Sequence, residues 1–325
     1  MSRIFAALLT VASVAGCGGE ARPPAGDGAV PVKLQLNWFP EAEHGGYYAA
    51  AVLGLYEEAG LDVEIVPGGP GVQVCQLVAT GRVDFGVANA DRVLLLREQG
   101  ADVVSLYAPI THTPRCVLVP ADAGVGSFAD LSGFELAMGN QPFAEFLKAK
   151  VLPADVSVVP FNGGVNHLLL GGKRGQQGYT FSEPFVAARE GLETTTLMLS
   201  DVGFDPYCSC LVGRAVGTVE AGDVPSRMRQ AAATGWSRYL EDDAVAAKTH
   251  AAIVAANPEM SPTVLEEGRQ ALRGLVEPET PDEERARWDD LAELMREIGV
   301  LGRSGGPGHE ALGSVPASGG SGREG

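Results

Sequence analysis

The stretch VKLQLNWFPEAEHGGYYAAAVLGLYEEAGLDVEIV, residues 32–66, decides the fold. Val32, Leu34, Leu36 and Trp38 alternate with polar neighbours, the period of a half-buried strand over 32–38. A polar turn from Pro40 to Gly46 precedes a helical run from Tyr47 to Glu58, closed by Ala59-Gly60. Leu61–Val66 alternates again and stops at Pro67-Gly-Gly-Pro70. Strand, helix, strand in about 35 residues is the repeating unit of a parallel sheet.

The unit recurs outward from there. A helix is expected over Val72–Thr80, a strand over Val83–Ala88, a helix over Asn89–Gln99 and a strand over Val103–Ile110. After Pro120 the alternation restarts: a helical turn at Ser127–Leu131, strands at Phe134–Met138, Val156–Val159 and Gln177–Phe181, helices at Ala144–Lys150, Asn166–Leu170 and Pro184–Glu190. From Val224 only helices follow, at Pro225–Leu240, Asp243–Ala256, Ser261–Leu275 and Pro281–Ile298. The pattern predicts two α/β lobes with helices on both faces of parallel sheets, plus a helical C-terminal segment. Ligands of such sheets lie at the carboxyl ends of strands, so the loops 38–44, 86–91, 107–114, 140–143, 181–184 and 204–208 are the places to inspect.

The ends of the chain read differently. Arg3, the 12-residue apolar run Ile4–Ala15 and Gly16-Cys17 have the layout of an export signal, too short to span a bilayer. Val14-Ala15-Gly16-Cys17 resembles the lipobox of bacterial lipoproteins, which implies acylation of Cys17 and a membrane anchor. Residues 18–31, rich in Gly and Pro, read as a flexible tether, and the glycine-rich residues 302–325 as a disordered tail.

The net charge of −17, with no basic stripe, argues against a nucleic-acid partner. Beyond Cys17 there are Cys75, Cys116, Cys208 and Cys210, without the spacing of a zinc site. They serve as disulfide partners or as buried thiols, and no metal or cofactor is expected. The glycine-rich Gly68–Gly71 lacks the Lys-Ser/Thr of a phosphate loop, which excludes a nucleotide site.

Candidate binding residues cluster at strand ends. Trp38 can stack on a flat ligand while Glu41, His44 and Tyr48 hold its polar edge. Asn89 and Asp91 open the helix after 83–88; capping needs one of them and leaves the other for a ligand. Asn140 sits in a strand-to-helix turn whose amides suit an anion. Tyr107, Thr111 and Tyr207 lie where the chain would cross between lobes.

Asn37-Trp-Phe-Pro40, His44-Gly45, Gly54–Ile65, Gly81–Gly86, Gln177-Gly-Tyr179, Ser182-Glu-Pro184 and Gly203–Tyr207 together resemble the bacterial solute-binding proteins that include the thiamine-pyrimidine-precursor binders. The resemblance covers roughly residues 32–300 in order. It implies the type II periplasmic-binding fold: a first lobe from 32–112 and 206–301, a second from 113–205, two crossover segments near Pro109–Cys116 and Ser200–Cys208, and a cleft that closes by hinge motion. It implies a monomeric extracytoplasmic protein, held at the periplasmic or cell-surface side by its lipid anchor. Its partners would be an ABC permease and ATPase. It places Glu183 at the ligand, accepting N–H bonds from an aminopyrimidine-like edge; helix-start electrostatics alone would also put a carboxylate there.

Riboflavin-like, nitrate, sulfonate or taurine-type ligands are alternatives within the same family of folds, and a sensing role is an alternative to import. A fungal enzyme of this fold builds the thiamine pyrimidine from pyridoxal phosphate and its own histidine. The positions matching its lysine and histidine read Ala88 and Arg92 here, so that chemistry is not expected.

Overall fold

The computed structural model describes residues 28–215, 223–303 and 305–313. The export signal, Cys17 and residues 18–27 of the tether lie outside the described residues.

Two five-stranded sheets form the two lobes. The first has the order β2-β1-β3-β10-β4, from β1 (Val30–Gln35), β2 (Leu61–Val66), β3 (Phe85–Ala88), β4 (Val104–Tyr107) and β10 (Cys210–Gly213). The second has the order β7-β6-β8-β5-β9, from β5 (Arg115–Pro120), β6 (Glu135–Met138), β7 (Ser157–Pro160), β8 (Arg174–Tyr179) and β9 (Thr194–Met198). The chain passes between the sheets after Tyr107 and returns before Cys210.

The expected parallel core is present, with β1 paired in parallel to β2 from Val30↔Leu61 to Gln35↔Val66 and also to β3. The sheets are nevertheless mixed. β10 runs antiparallel to β3 and β4, and β5 runs antiparallel to β8 and β9. β10 and β5 form where the chain enters or leaves a lobe, so no helix-bearing crossover fixes them parallel to their neighbours. β1 also begins at Val30, two residues inside the stretch read as tether, because Val30 and Pro31 find partners in Leu61 and Asp62.

In the first lobe, α1 (Gly45–Val52) follows β1, α3 (Val74–Ala79) follows β2 and α4 (Ala90–Glu98) follows β3. The helix expected over 47–58 is broken: Gly54 adopts a left-handed φ of 74° and α2 (Leu55–Glu58) starts anew. Four C-terminal helices, α8 (Val224–Glu241), α9 (Asp243–Ala256), α10 (Pro262–Arg273) and α11 (Pro281–Glu297), pack back on this lobe. Their starts carry built caps: Asp242 accepts from Ala244 and Val245, Ser261 from Val264, and Thr280 with Glu283 forms a reciprocal capping box.

α1 lies so close to α8 that a methyl on Gly235 would meet the Gly46 carbonyl at 2.3 Å, and one on Gly46 would enter the Trp236 ring. The second lobe carries α5 (Pro142–Lys150), α6 (Asn166–Leu169) and α7 (Glu183–Arg189).

Each face of the first sheet has its own core. Leu34, Leu36 and Leu211 pack with Tyr47, Trp236 and Tyr239 under α1 and α8. Cys210 and Val212 turn to the other face, with Val78, Val93 and Trp288. All four cysteines after Cys17 are buried free thiols.

The tail reading needs correction over residues 305–313. A helical turn at Gly308–Ala311 docks on α11, Ala311 is fully buried, and Gly313 N–H donates to the Ser105 carbonyl at the edge of β4. Small residues let this segment press against the α11 backbone beside Trp288, so its glycine content signals close approach rather than disorder. No helix among the described residues is long and apolar enough to cross a membrane.

Candidate binding site in the cleft

A cavity of about 250 Å³ lies between the lobes. Its wall is built from strand ends: Asn37 to Glu43 after β1, Gly69 to Gln76 after β2, Val87 to Arg92 after β3, Arg115 at the start of β5, Asn140 and Gln141 after β6, Phe161 after β7, Gln177 and Tyr179 on β8, and Glu183 opening α7. Five of the sequence-derived candidates line it: Trp38, Glu41, Asn89, Asn140 and Glu183.

Three carboxylates face this one space. Glu41 is buried and its Oε2 accepts from Ser182 Oγ at 2.8 Å; burial, then the charges of Glu43 and Glu183, hold its carboxyl well above the ordinary range. Glu43 is 1% exposed, and burial pushes its pKa up to about 7. It still accepts from Asn37 Nδ2 at 3.1 Å and from Cys208 Sγ at 3.5 Å. Glu183 accepts the Tyr179 N–H at 2.7 Å, and burial raises it as well. Like charges in one desolvated space disfavour joint ionisation.

Two arginines line the wall among the described residues, the half-buried Arg92 and the buried Arg115. Arg115 Nη2 donates to Tyr179 Oη at 2.6 Å, and its guanidinium lies 4.3 Å from the Phe143 ring centre. Tyr179 Oη also accepts from Asn89 Nδ2 at 2.9 Å, one of two bonds that join the lobes at the site; Ser182 to Glu41 is the other. Trp38 reaches from the first lobe toward Gly163 of the second, and its half-buried indole and Phe161 supply apolar faces.

Other candidates act behind the wall. His44 is fully buried and held neutral, its pKa lowered to about 3 by burial. Its Nδ1 accepts the Glu41 N–H at 3.3 Å, so Nε2 carries the proton and donates to Asn37 Oδ1 at 2.8 Å. The imidazole therefore shapes the turn that presents Glu41 and Glu43. Ser209, the one non-glycine residue with positive φ (56°) among those described, is held beneath the site by three bonds. Its N–H donates to Asn89 Oδ1, its hydroxyl to the Glu43 carbonyl, and its carbonyl accepts from Tyr47.

The remaining candidates do not line the cavity. Tyr48 is buried in the α1 core and Tyr107 packs against that same core from β4. Asp91 is fully buried, with neither oxygen hydrogen-bonded among the described residues. Thr111 and Tyr207 lie in the crossings but turn toward the C-terminal helices. Thr111 Oγ1 bonds the Leu275 carbonyl and the Glu277 N–H, while Tyr207 donates to Glu279 at 2.6 Å and stacks on Trp288. His112, Asp205 and Arg287 complete that hinge network.

The anion-binding reading of the turn at Asn140 is also modified, since the Gly139 N–H is already given to Gln177 Oε1 at 2.5 Å. The sequence reading passed over Asn37, Glu43, Arg115, Gln177 and Tyr179. An arginine heading the apolar run Arg115-Cys-Val-Leu-Val119 was the available signal, because a charge there must be buried and paired.

Two mixed α/β lobes joined by two crossings around a cleft define the type II periplasmic-binding fold. The periplasmic aliphatic sulphonate binding protein SsuA from Escherichia coli superposes with a TM-score of 0.66 at 14% identity, over 88% of this chain and 92% of that one. Residues 41–246 match the NMT1/THI5-like family, and the chain belongs to it.

A formylaminopyrimidine-binding protein from Halalkalibacterium halodurans is 30% identical over 145 residues, 44% of this chain and 43% of its own. A 4-amino-5-hydroxymethyl-2-methylpyrimidine phosphate synthase from Legionella pneumophila is 28% identical over 102 residues, 31% of this chain and 32% of its own. The chain thus matches less than half the length of these curated relatives.

Proposed function

We propose that this protein is an extracytoplasmic solute-binding protein of an ABC importer that captures a thiamine pyrimidine precursor, or a close aminopyrimidine, between its lobes. The observation that carries the reading is the trio Glu41, Glu43 and Glu183 around one cavity with two arginines, of which only Arg115 is buried. Such a wall accepts hydrogen bonds more than it donates them, which suits the amino group of an aminopyrimidine. Trp38 and Phe161 offer faces for a flat ring. The formylaminopyrimidine-binding relative supports the same ligand class.

The ligand leaves chemically intact in this reading. Ala88 faces the cavity where the fungal enzyme has its lysine, Arg92 stands at the histidine position, and no lysine is among the cavity residues. An acylated Cys17 would hold the protein at the membrane beside a permease and ATPase.

A calorimetric panel of aminopyrimidines, flavins and sulfonates tests the proposal, since a ligand at 100 times its Kd adds about 2.7 kcal/mol of stability. Binding confined to sulfonates, or recovery of an altered ligand, would refute it.

A further inference from the structure

Within the proposed aminopyrimidine reading, we infer that the Tyr179 hydroxyl is a specificity-determining donor, selecting ligands that carry a neutral oxygen acceptor beside the edge gripped by the carboxylates.

Tyr179 Oη accepts from Arg115 Nη2 at 2.6 Å and from Asn89 Nδ2 at 2.9 Å. The Asn89 amide is not free to reverse its role, because its Oδ1 takes the Ser209 N–H at 3.3 Å. Arg115 offers only donors. Both lone pairs of the phenol oxygen are therefore filled, and its own hydrogen has no acceptor among the described residues. Burial holds the phenol well above its ordinary pKa, so that hydrogen stays in place. The ring cannot swing away easily: it stacks on Phe181 at 5.2 Å and 24°.

Gln177 adds a second donor of the same kind. It stands two residues before Tyr179 on β8, on the same face of the strand. Its Oε1 is spent on the Gly139 N–H, so only its amide hydrogens remain for the cavity. The site is thus divided by polarity: Glu41, Glu43 and Glu183 require donors from the ligand, and Tyr179 with Gln177 requires an acceptor. A ring that keeps its amino edge on the carboxylates and has no oxygen substituent has only a ring nitrogen to offer the second row, and sites built to hydrogen-bond a ligand oxygen discriminate strongly against analogues lacking it.

The test uses two probes that differ by one oxygen, 4-amino-5-hydroxymethyl-2-methylpyrimidine and 4-amino-2,5-dimethylpyrimidine, titrated calorimetrically into the wild-type protein and Tyr179→Phe. Wild type should bind the hydroxymethyl compound at least about tenfold tighter than the dimethyl compound. Tyr179→Phe should lose about tenfold or more toward the hydroxymethyl compound and change less than about twofold toward the other.

Equal weakening toward both would mean that Tyr179 acts only by holding Arg115 and Asn89, and would overturn the inference. So would a wild-type protein indifferent to the oxygen, a result that needs no variant and leaves the aminopyrimidine reading standing. Binding of neither probe by wild type would overturn that reading and the inference together.

Discussion

Replacing Glu43 with Gln should stabilise the empty protein, increasingly so as pH rises. Glu43 is 1% exposed, and burial lifts its carboxyl from 4.5 to about 7. The folded state thus binds this proton more tightly than the unfolded chain does. The contribution is fully present below the unfolded value and is lost as pH climbs through about 7. A rise of that size corresponds to about 3 kcal/mol at its upper limit.

Gln keeps the neutral form at every pH and can still accept from Asn37 through its carbonyl, the bond Glu43 makes at 3.1 Å. The stability difference between Glu43→Gln and wild type should be small near pH 5 and approach about 3 kcal/mol near pH 8. Urea unfolding at both pH values measures it. The comparison must be a difference, because His44 next door works in the opposite sense. Its lowered pKa makes wild type lose stability as pH falls below about 6.5, where the unfolded imidazole takes up a proton. A variant-minus-wild-type difference that stays flat from pH 5 to pH 8 would refute the account of Glu43 as a strained carboxylate held for the ligand.

Glu183→Gln should weaken an aminopyrimidine by about 1.5–3 kcal/mol in calorimetry, because an ionised acceptor is exchanged for a neutral one; unchanged affinity would remove Glu183 from the site. Of the three tryptophans, Trp236 and Trp288 are fully buried away from the cleft while Trp38 lines it. Ligand-induced change in tryptophan fluorescence should therefore vanish in Trp38→Phe, and its persistence would show that binding occurs elsewhere or reaches the other two indoles. Deleting residues 305–325 should cost about 2–3 kcal/mol by uncovering α11 and the edge of β4, where Ala311 is now fully buried. An unchanged urea midpoint would show that this segment adds nothing to stability.

The parallel half of each sheet was legible because β1, β2 and β6 alternate or run apolar between turn residues and are followed by helices. The antiparallel strands carry weaker marks. Arg115–Pro120 is buried along its whole length, so it has no period of two, and Thr194–Met198 is mostly threonine with only Leu197 buried. The site followed the same division. Trp38, Glu41, Asn89, Asn140 and Glu183 stand where a strand gives way to a helix, which sequence can locate.

Arg115 and Tyr179 face each other across paired antiparallel strands, in the register Arg115↔Tyr179, and nothing in their local sequence announces that pairing. Thr111 and Tyr207 lie in the segments between the two sheets, and the direction of their side chains depends on Leu275 and Glu279 some 70 to 165 residues later.

The shared fold leaves the ligand open, so the charge of the cleft is the better guide. The sulphonate-binding neighbour shares the two-lobe architecture at 14% identity, which constrains the cleft and not the groups that line it. An anion in this cleft would meet Arg115, whose guanidinium is already engaged with Tyr179 and Phe143, the half-buried Arg92, and three carboxyls. At about 5 Å and an effective dielectric of about 20, one ionised carboxylate repels a unit anion by about 3 kcal/mol. Each ionised member of the trio would offset the attraction of one arginine at a similar distance, so a sulfonate gains only while most of the trio stays protonated. A neutral aminopyrimidine meets no such repulsion and offers its amino hydrogens to the carboxyls. The raised carboxyls of the empty cleft are then the free energy held in reserve for a guest that brings its own N–H donors.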